Sequence, residues 1–178
     1  MENRPDNILV EQAARGDGES FTELCRRYYG PVVAICHAIL GDRHLAEDAA
    51  QEAFAKAAVH LPELRRADQF GCWVAAICRN EAKSLARTRR RPRSENDASP
   101  TETSLNGDET REAVRMALSS LSPDAREVAY LRFYDGLSYD RISAVLGISE
   151  QAINGRLRRA KRKLAEHLRR QGFDEVQL

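Results

Sequence analysis

Residues 138–164 read SYDRISAVLGISEQAINGRLRRAKRKL, and the punctuation of that stretch leaves the fold little freedom. Ser138 precedes Ile142, Val145 and Leu146 at helical spacing, and a serine hydroxyl accepts the amides that a helix start leaves unpaired. Gly147 supplies a tight turn, Ile148 plugs the angle, and Ser149 opens a second helix. The glycine falls four residues after the small Ser143 and six before the β-branched Ile153. This is the grammar of a helix-turn-helix. In the second helix Ile153, Leu157, Ala160, Leu164 and Leu168 stack on one face. Gln151, Asn154, Gly155, Arg158 and Arg162 fall opposite, within an arc of about 100°. Amide side chains pair with adenine edges and arginine with guanine. Arg156, Arg159, Lys161 and Lys163 flank that face and suit phosphates. Gly155 costs about 1 kcal/mol against alanine in a helix, and its bare backbone allows close approach to a duplex. The competing reading is a basic amphipathic helix for a membrane or a partner.

Upstream, Val114, Ala117, Leu118 and Leu121 mark a helix, and Ser122-Pro123 opens another that runs to about residue 134 and stops at Asp135-Gly136. These segments make a domain at 111–178. Residues 94–110, SENDASPTETSLNGDET, carry five acidic side chains and no basic one, with Leu105 as the one sizeable apolar group. Such a segment buries too little to offset chain entropy and reads as a flexible acidic linker. Residues 1–93 form a second domain. Alternating β-branched runs are absent, so the fold class is all-α, with two small helical domains.

In the first domain a short helix covers 8–15, and Gly16-Asp17-Gly18 breaks it. The next starts near Ser20, carries Phe21, Leu24, Tyr28, Val32 and Ile35 inward, and is expected to bend or stop at Gly30-Pro31. Gly41-Asp42 ends it, and Asp42 caps a helix over 43–59. That helix has an apolar face of Leu45, Ala46, Ala49, Ala50, Ala53, Phe54 and Ala57. Glu47, Asp48, Gln51 and Glu52 gather on the other face, which by composition alone is an ordinary solvated surface. After a loop at 60–67, Asp68 is placed to cap a long helix ending near residue 91, with Phe70, Trp73, Val74, Ile77 and Leu85 inward. Arg79, Asn80, Lys83, Arg87 and Arg90 share an arc of about 100° on its far side. A merely soluble face interleaves acids at i+4. Here Glu81 is the one acid between Arg79 and Arg93, so the stripe points to nucleic acid.

Several classes are excluded or disfavoured. No apolar run approaches the roughly 20 residues of a membrane span. Residues 1–14 show no basic start and no continuous apolar stretch, so no signal peptide is read there and a cytoplasmic protein is expected. The cysteines Cys25, Cys36, Cys72 and Cys78 form no CxxC pair and read as buried thiols. A zinc site on Cys36 and His37 is the weaker alternative. No nucleophile–base constellation, glycine-rich phosphate loop or paired-carboxylate signature is present. An enzyme is therefore disfavoured, and no metal or cofactor is expected.

With these residues in view, the chain resembles the sigma-70 family of bacterial RNA polymerase initiation factors, most closely the short extracytoplasmic-function (ECF) group. Three segments carry the resemblance, in the family's order: AEDAAQEAF (46–54), FGCWVAAICRNEAK (70–83) and LSYDRISAVLGISEQAINGRLRRAKRKL (137–164). The resemblance implies region 2 at 1–93 and region 4 at 111–178. It implies that Glu47, Asp48, Gln51 and Glu52 grip the coiled coil of the polymerase β′ subunit, with the β flap as a further polymerase contact. It implies that Asn80, Lys83, Ser84 and Arg87 meet the melted promoter −10 element, with Arg79 and Arg90 on phosphates, and that loop 60–67 holds a flipped base. Ser149, Gln151, Asn154, Gly155, Arg156, Arg158, Arg159 and Arg162 are then the −35 contacts. The acidic linker would thread polymerase channels that otherwise hold nucleic acid, and an anti-sigma factor is a common partner in the group. The main competing function is a stand-alone helix-turn-helix transcription regulator.

Overall fold

The computed structural model describes residues 4–90 and 108–172, and every regular element among them is helical. The first half holds α1 (Asp6–Ala14), α2 (Gly18–Leu40), α3 (Arg43–His60) and α4 (Phe70–Arg90). The second holds α5 (Asp108–Ser119), α6 (Pro123–Ala129), continued by a π-helical turn over Tyr130–Tyr134, then α7 (Tyr139–Leu146) and α8 (Glu150–Arg170).

The local signals act as the sequence implies. Asp42 accepts the Leu45 amide at 3.0 Å, and the Ser122, Ser138 and Ser149 hydroxyls accept the amides of Ala125, Arg141 and Ala152 at 3.4, 3.3 and 3.2 Å. Each satisfies a first-turn amide that has no partner within the helix. Gly41 and Gly147 close α2 and α7 in the left-handed region, at φ +69° and +67°, where a side chain would be strained. The Ser143 hydroxyl donates to the Ile148 carbonyl at 2.7 Å and ties the helix-turn-helix turn from inside.

Four expectations are corrected. α2 does not bend or stop at Gly30-Pro31 but runs through to Leu40. Pro31 offers no amide hydrogen to the Arg27 carbonyl, and Arg141 of α7 donates to that oxygen instead, at 3.4 Å. Burial of Pro31, Val32, Ala34, Ile35 and Cys36 outweighs the lost helical bond. Asp68 does not cap α4. It sits in a 3-10 turn over Ala67–Gln69, and the Arg66 guanidinium holds its carboxylate at 2.7 Å, lowering its pKa. The loop at 60–67 is partly a second 3-10 turn, Leu61–Glu63. Helix α5 starts at Asp108, inside the stretch read as linker. Residues 94–107 of that linker lie outside the described residues.

The two halves share one core. Leu24, Val32, Ile35, Phe54, Phe70 and Val74 of the first half form a continuous buried cluster with Val128, Leu131, Ile142, Val145, Ile153 and Leu157 of the second. Burying side chains of this size stabilises by roughly 1.5–3 kcal/mol each. Smaller clusters, Leu121 with Ala125, Ala129 and Ala160, and Ala113 with Ala117 and Leu168, belong to the second half alone. At the junction α7 lies against the start of α4. Gly71 leaves room for the Ala144 carbonyl, which would stand 3.2 Å from a Cβ there, and the Cys72 thiol donates to the same oxygen at 3.0 Å. The Arg126 guanidinium donates to the Leu118, Ser119 and Leu121 carbonyls at the end of α5 and to the Ala38 carbonyl near the end of α2.

Candidate nucleic-acid interface

Helix α8 presents the candidate reading face. Ile153, Leu157, Ala160 and Leu168 are buried, which turns Gln151, Asn154, Arg158, Arg159 and Arg162 outward, all exposed. A Cβ on Gly155 would meet only the Arg159 guanidinium, 3.6 Å away. The fold itself therefore does not demand glycine there. The Ser149 hydroxyl is committed to its cap. Arg156 is half-buried and pairs with Asp124 of α6 at 2.8 Å, so it also fastens α8 to α6. Arg162 makes a loose surface pair with Glu166 at 3.9 Å, which contributes little. Two flanking cations are exposed but have contacts within the chain. Lys161 lies over the Phe133 ring at 5.6 Å, and Lys163 donates to the Ser120 carbonyl at 3.2 Å.

Helix α4 carries the second candidate face. Asn80, Lys83, Ser84 and Arg87 are exposed, and the Arg90 side chain lies outside the described residues. Glu81, the one acid on α4, lies off the stripe and pairs with Lys56 of α3 at 2.6 Å. Arg79 departs from the pattern. Its Nε donates to Glu127 of α6 at 2.7 Å, with the two side chains 25% and 12% exposed. Burial pushes the Glu127 carboxyl up, and the nearby Arg79 opposes that rise.

The acidic face on α3 stands beside this one. Asp48, Gln51 and Glu52 are exposed, while Glu47 is half-buried and held by Arg43 at 2.9 Å. Asp48 and Glu52 share a hollow of about 310 Å³ with Glu81, Ser84, Leu85 and Thr88. Ser84 thus lies at the border between the acidic and basic faces.

The sequence reading missed an apolar groove of about 510 Å³, walled by His37 of the first half and by Val114, Leu118, Tyr130, Phe133 and Leu164 of the second. Phe133 and Tyr134 are 58% and 49% exposed. His37 meets Tyr130 and Tyr134 edge-on at 4.9 and 5.2 Å, and its Nδ1 is buried without a hydrogen-bond partner. Burial lowers the His37 pKa. The available signal was YLRFY at 130–134, which holds more aromatic area than the inner face of one helix needs. Cys36 and His37 point apart: the Cys36 sulfur lies 2.8 Å from that of Cys78, and the imidazole faces the tyrosines. They do not converge as zinc ligands. Among the described residues no group of three or more His, Cys, Asp or Glu side chains could hold a metal, and no helix is long and apolar enough to cross a membrane.

Residues 24–92 match the family model for sigma-70 region 2, and residues 111–164 that for sigma-70 region 4. The chain is 30% identical to the RNA polymerase sigma-H factor of Pseudomonas aeruginosa, over 92% of this chain and 93% of that protein. It is 32% identical to the ECF RNA polymerase sigma-E factor of Escherichia coli, over 90% and 92%. Among solved structures it is similar to CnrH in complex with the cytosolic domain of CnrY, with a TM-score of 0.64, 28% identity, and coverage of 92% of this chain and 96% of that one. It is also similar to the sigma factor RpoE in complex with the anti-sigma factor NepR from Bartonella quintana, with a TM-score of 0.57, 26% identity, and coverage of 85% and 98%.

Proposed function

The chain belongs to the sigma-70 family of RNA polymerase sigma factors, in its ECF group, and from that premise we propose how its surfaces divide the work of starting transcription. The exposed acids Asp48 and Glu52, with Gln51 and Glu47, dock on the β′ coiled coil of core polymerase. Asn80, Lys83, Ser84 and Arg87 hold the melted −10 strand, with Arg79 and Arg90 on its phosphates. The α8 face reads the −35 duplex in the major groove, where Arg158 suits a guanine and Asn154 an adenine. The aromatic groove at His37 and Phe133 takes an apolar segment of a protein partner, either the polymerase β flap or an anti-sigma factor. The known complex of the similar RpoE with NepR supports the second choice. In this reading the chain performs no chemistry of its own and works in the cytoplasm beside polymerase and chromosome.

The observation that carries the reading is the sorting of charge on α3 and α4. Glu81, the one acid on α4, lies off the basic stripe and pairs with Lys56, so an acidic surface on α3 and a basic surface on α4 meet along one edge. A stand-alone helix-turn-helix regulator needs neither surface. Run-off transcription with core polymerase, followed by mapping of start sites, tests the proposal. Defined start positions that depend on this chain support it. A chain that never co-elutes with core polymerase and directs no defined start is not working this way.

A further inference from the structure

Arg79 belongs by sequence to the basic stripe of α4, yet in the folded chain its Nε donates to a carboxylate of the same molecule. That carboxylate, Glu127, comes from α6 in the other half of the molecule and is largely buried at the junction. Asp124 and Arg156, paired with each other at 2.8 Å, are the other charged groups that act on Glu127. A carboxylate and a phosphate present the same feature to a guanidinium, namely anionic oxygens that accept its N–H bonds. Arg79 Nε cannot serve both at once. Lys83 and Arg87, further along the helix, stay exposed in the same arrangement.

We infer that Glu127 is an internal stand-in for a DNA phosphate: it occupies Arg79 while the two halves are packed together, and the strand-binding face of α4 becomes complete only when that contact is given up. This rests on the reading of α4 as the strand-binding helix. The closed chain then keeps a partial face, Asn80, Lys83 and Arg87, that can begin an encounter with single-stranded DNA. The strand must displace Glu127 to gain its next contact. Binding of the strand and separation of the halves are therefore coupled through one ion pair.

The test uses the full chain, a short fluorescein-labelled single-stranded DNA, and anisotropy titrations at several salt concentrations. Glu127→Gln removes the charge while keeping the side chain's size. It should bind the strand several-fold tighter than wild type, and the slope of log affinity against log salt should steepen by about 0.7, one added phosphate contact on a single strand. Adding Arg79→Gln to that variant should abolish the gain. Where the neutral side chain unsettles the buried junction, Glu127→Asp gives a second route, since its retracted carboxylate should yield a smaller gain in the same direction. No tightening in either variant, or a gain that survives Arg79→Gln, overturns the inference. Lys83→Ala and Arg87→Ala separate the two levels of failure. Weaker binding in these variants with no effect at Glu127 removes the stand-in alone. No effect at Lys83 and Arg87 removes the strand-binding reading of α4, and the stand-in with it.

Discussion

The guanidinium of Arg141 donates to the backbone carbonyl of Arg27, the acceptor to which Pro31 offers no amide hydrogen. One side chain from α7 thereby repairs the helical bond that a proline removes from α2. The same guanidinium lies 4.4 Å over the Tyr28 ring and 3.8 Å from Asp6. Arg141→Ala should cost about 1–3 kcal/mol, as the carbonyl loses a charge-assisted donor and the ring its cation. Denaturant unfolding checks the loss. A companion Arg141→Lys variant should recover only part of it, because an ammonium cannot reach carbonyl and ring together in the guanidinium's geometry.

Gly30 faces the Asp135 carboxylate across the junction, and a Cβ at that position would overlap it. Gly30→Ala therefore pits two effects against each other. Helix propensity favours alanine by about 1 kcal/mol, whereas overpacking at a closed interface costs about 1–3 kcal/mol. The expected outcome is a looser junction on an intact α2: helicity by circular dichroism holds, and the radius of gyration from small-angle scattering rises. An unchanged radius would mean that Asp135 moves aside at little cost.

Reversing charge at Asp48 and Glu52 should abolish retention of core polymerase, because both side chains are exposed and neither is buried in the core. Asp48→Arg with Glu52→Arg should leave the melting temperature within a few degrees, since surface substitutions of this kind change stability by about 0.5 kcal/mol or less. A pull-down with purified core enzyme reads the result. Full retention by the folded double variant would move the polymerase contact elsewhere on the chain.

Two cations on α8 should behave differently towards duplex promoters. Arg158 is exposed on the proposed reading face, and its replacement by alanine should relax preference at one −35 base pair, at about 1–3 kcal/mol. Lys161 lies over Phe133 at the groove. Lys161→Ala should leave base preference alone and weaken all duplexes alike, to the extent that the lysine leaves Phe133 for a phosphate. Affinities measured on a panel of single-base variants separate the two patterns. Equal losses on every duplex for Arg158→Ala would contradict its base-reading role.

Acid should weaken the packing of α2 through Glu23. Hydrogen bonds from Arg26 and Arg27 hold its carboxyl down to about 2, against an ordinary 4.5. A carboxylate whose pKa is depressed in the folded state contributes stability above its unfolded pKa and loses that contribution as pH falls through the folded value. The loss attributable to Glu23 should therefore appear between about pH 4.5 and pH 2. Glu23→Gln should be less stable than wild type at pH 7 and flatter across that window. Parallel acid profiles for the two proteins would show that the pair contributes nothing net.

Much of this molecule is written locally. Ser122, Ser138 and Ser149 stand where helices begin and Gly147 where one ends, and the apolar spacing of α8 fixes which of its faces turns outward. Each of these effects acts within about a turn of helix, so reading neighbours in the chain is enough. The acidic face of α3 and the outward cations Lys83 and Arg87 were legible for the same reason. The fate of Pro31 was not, because the donor that replaces its missing hydrogen comes from Arg141, far away in sequence. Nor was the fate of Arg79, since helical periodicity places a side chain on a face without naming what the face will meet. The aromatic groove has walls from both halves and exists only where they pack. The sequence alone settled where α3, α6, α7 and α8 begin and which of their faces is polar, because the responsible atoms are close along the chain. Tertiary structure decided which surfaces remain free, because that depends on groups brought together by burying a shared core, and no local pattern records their meeting.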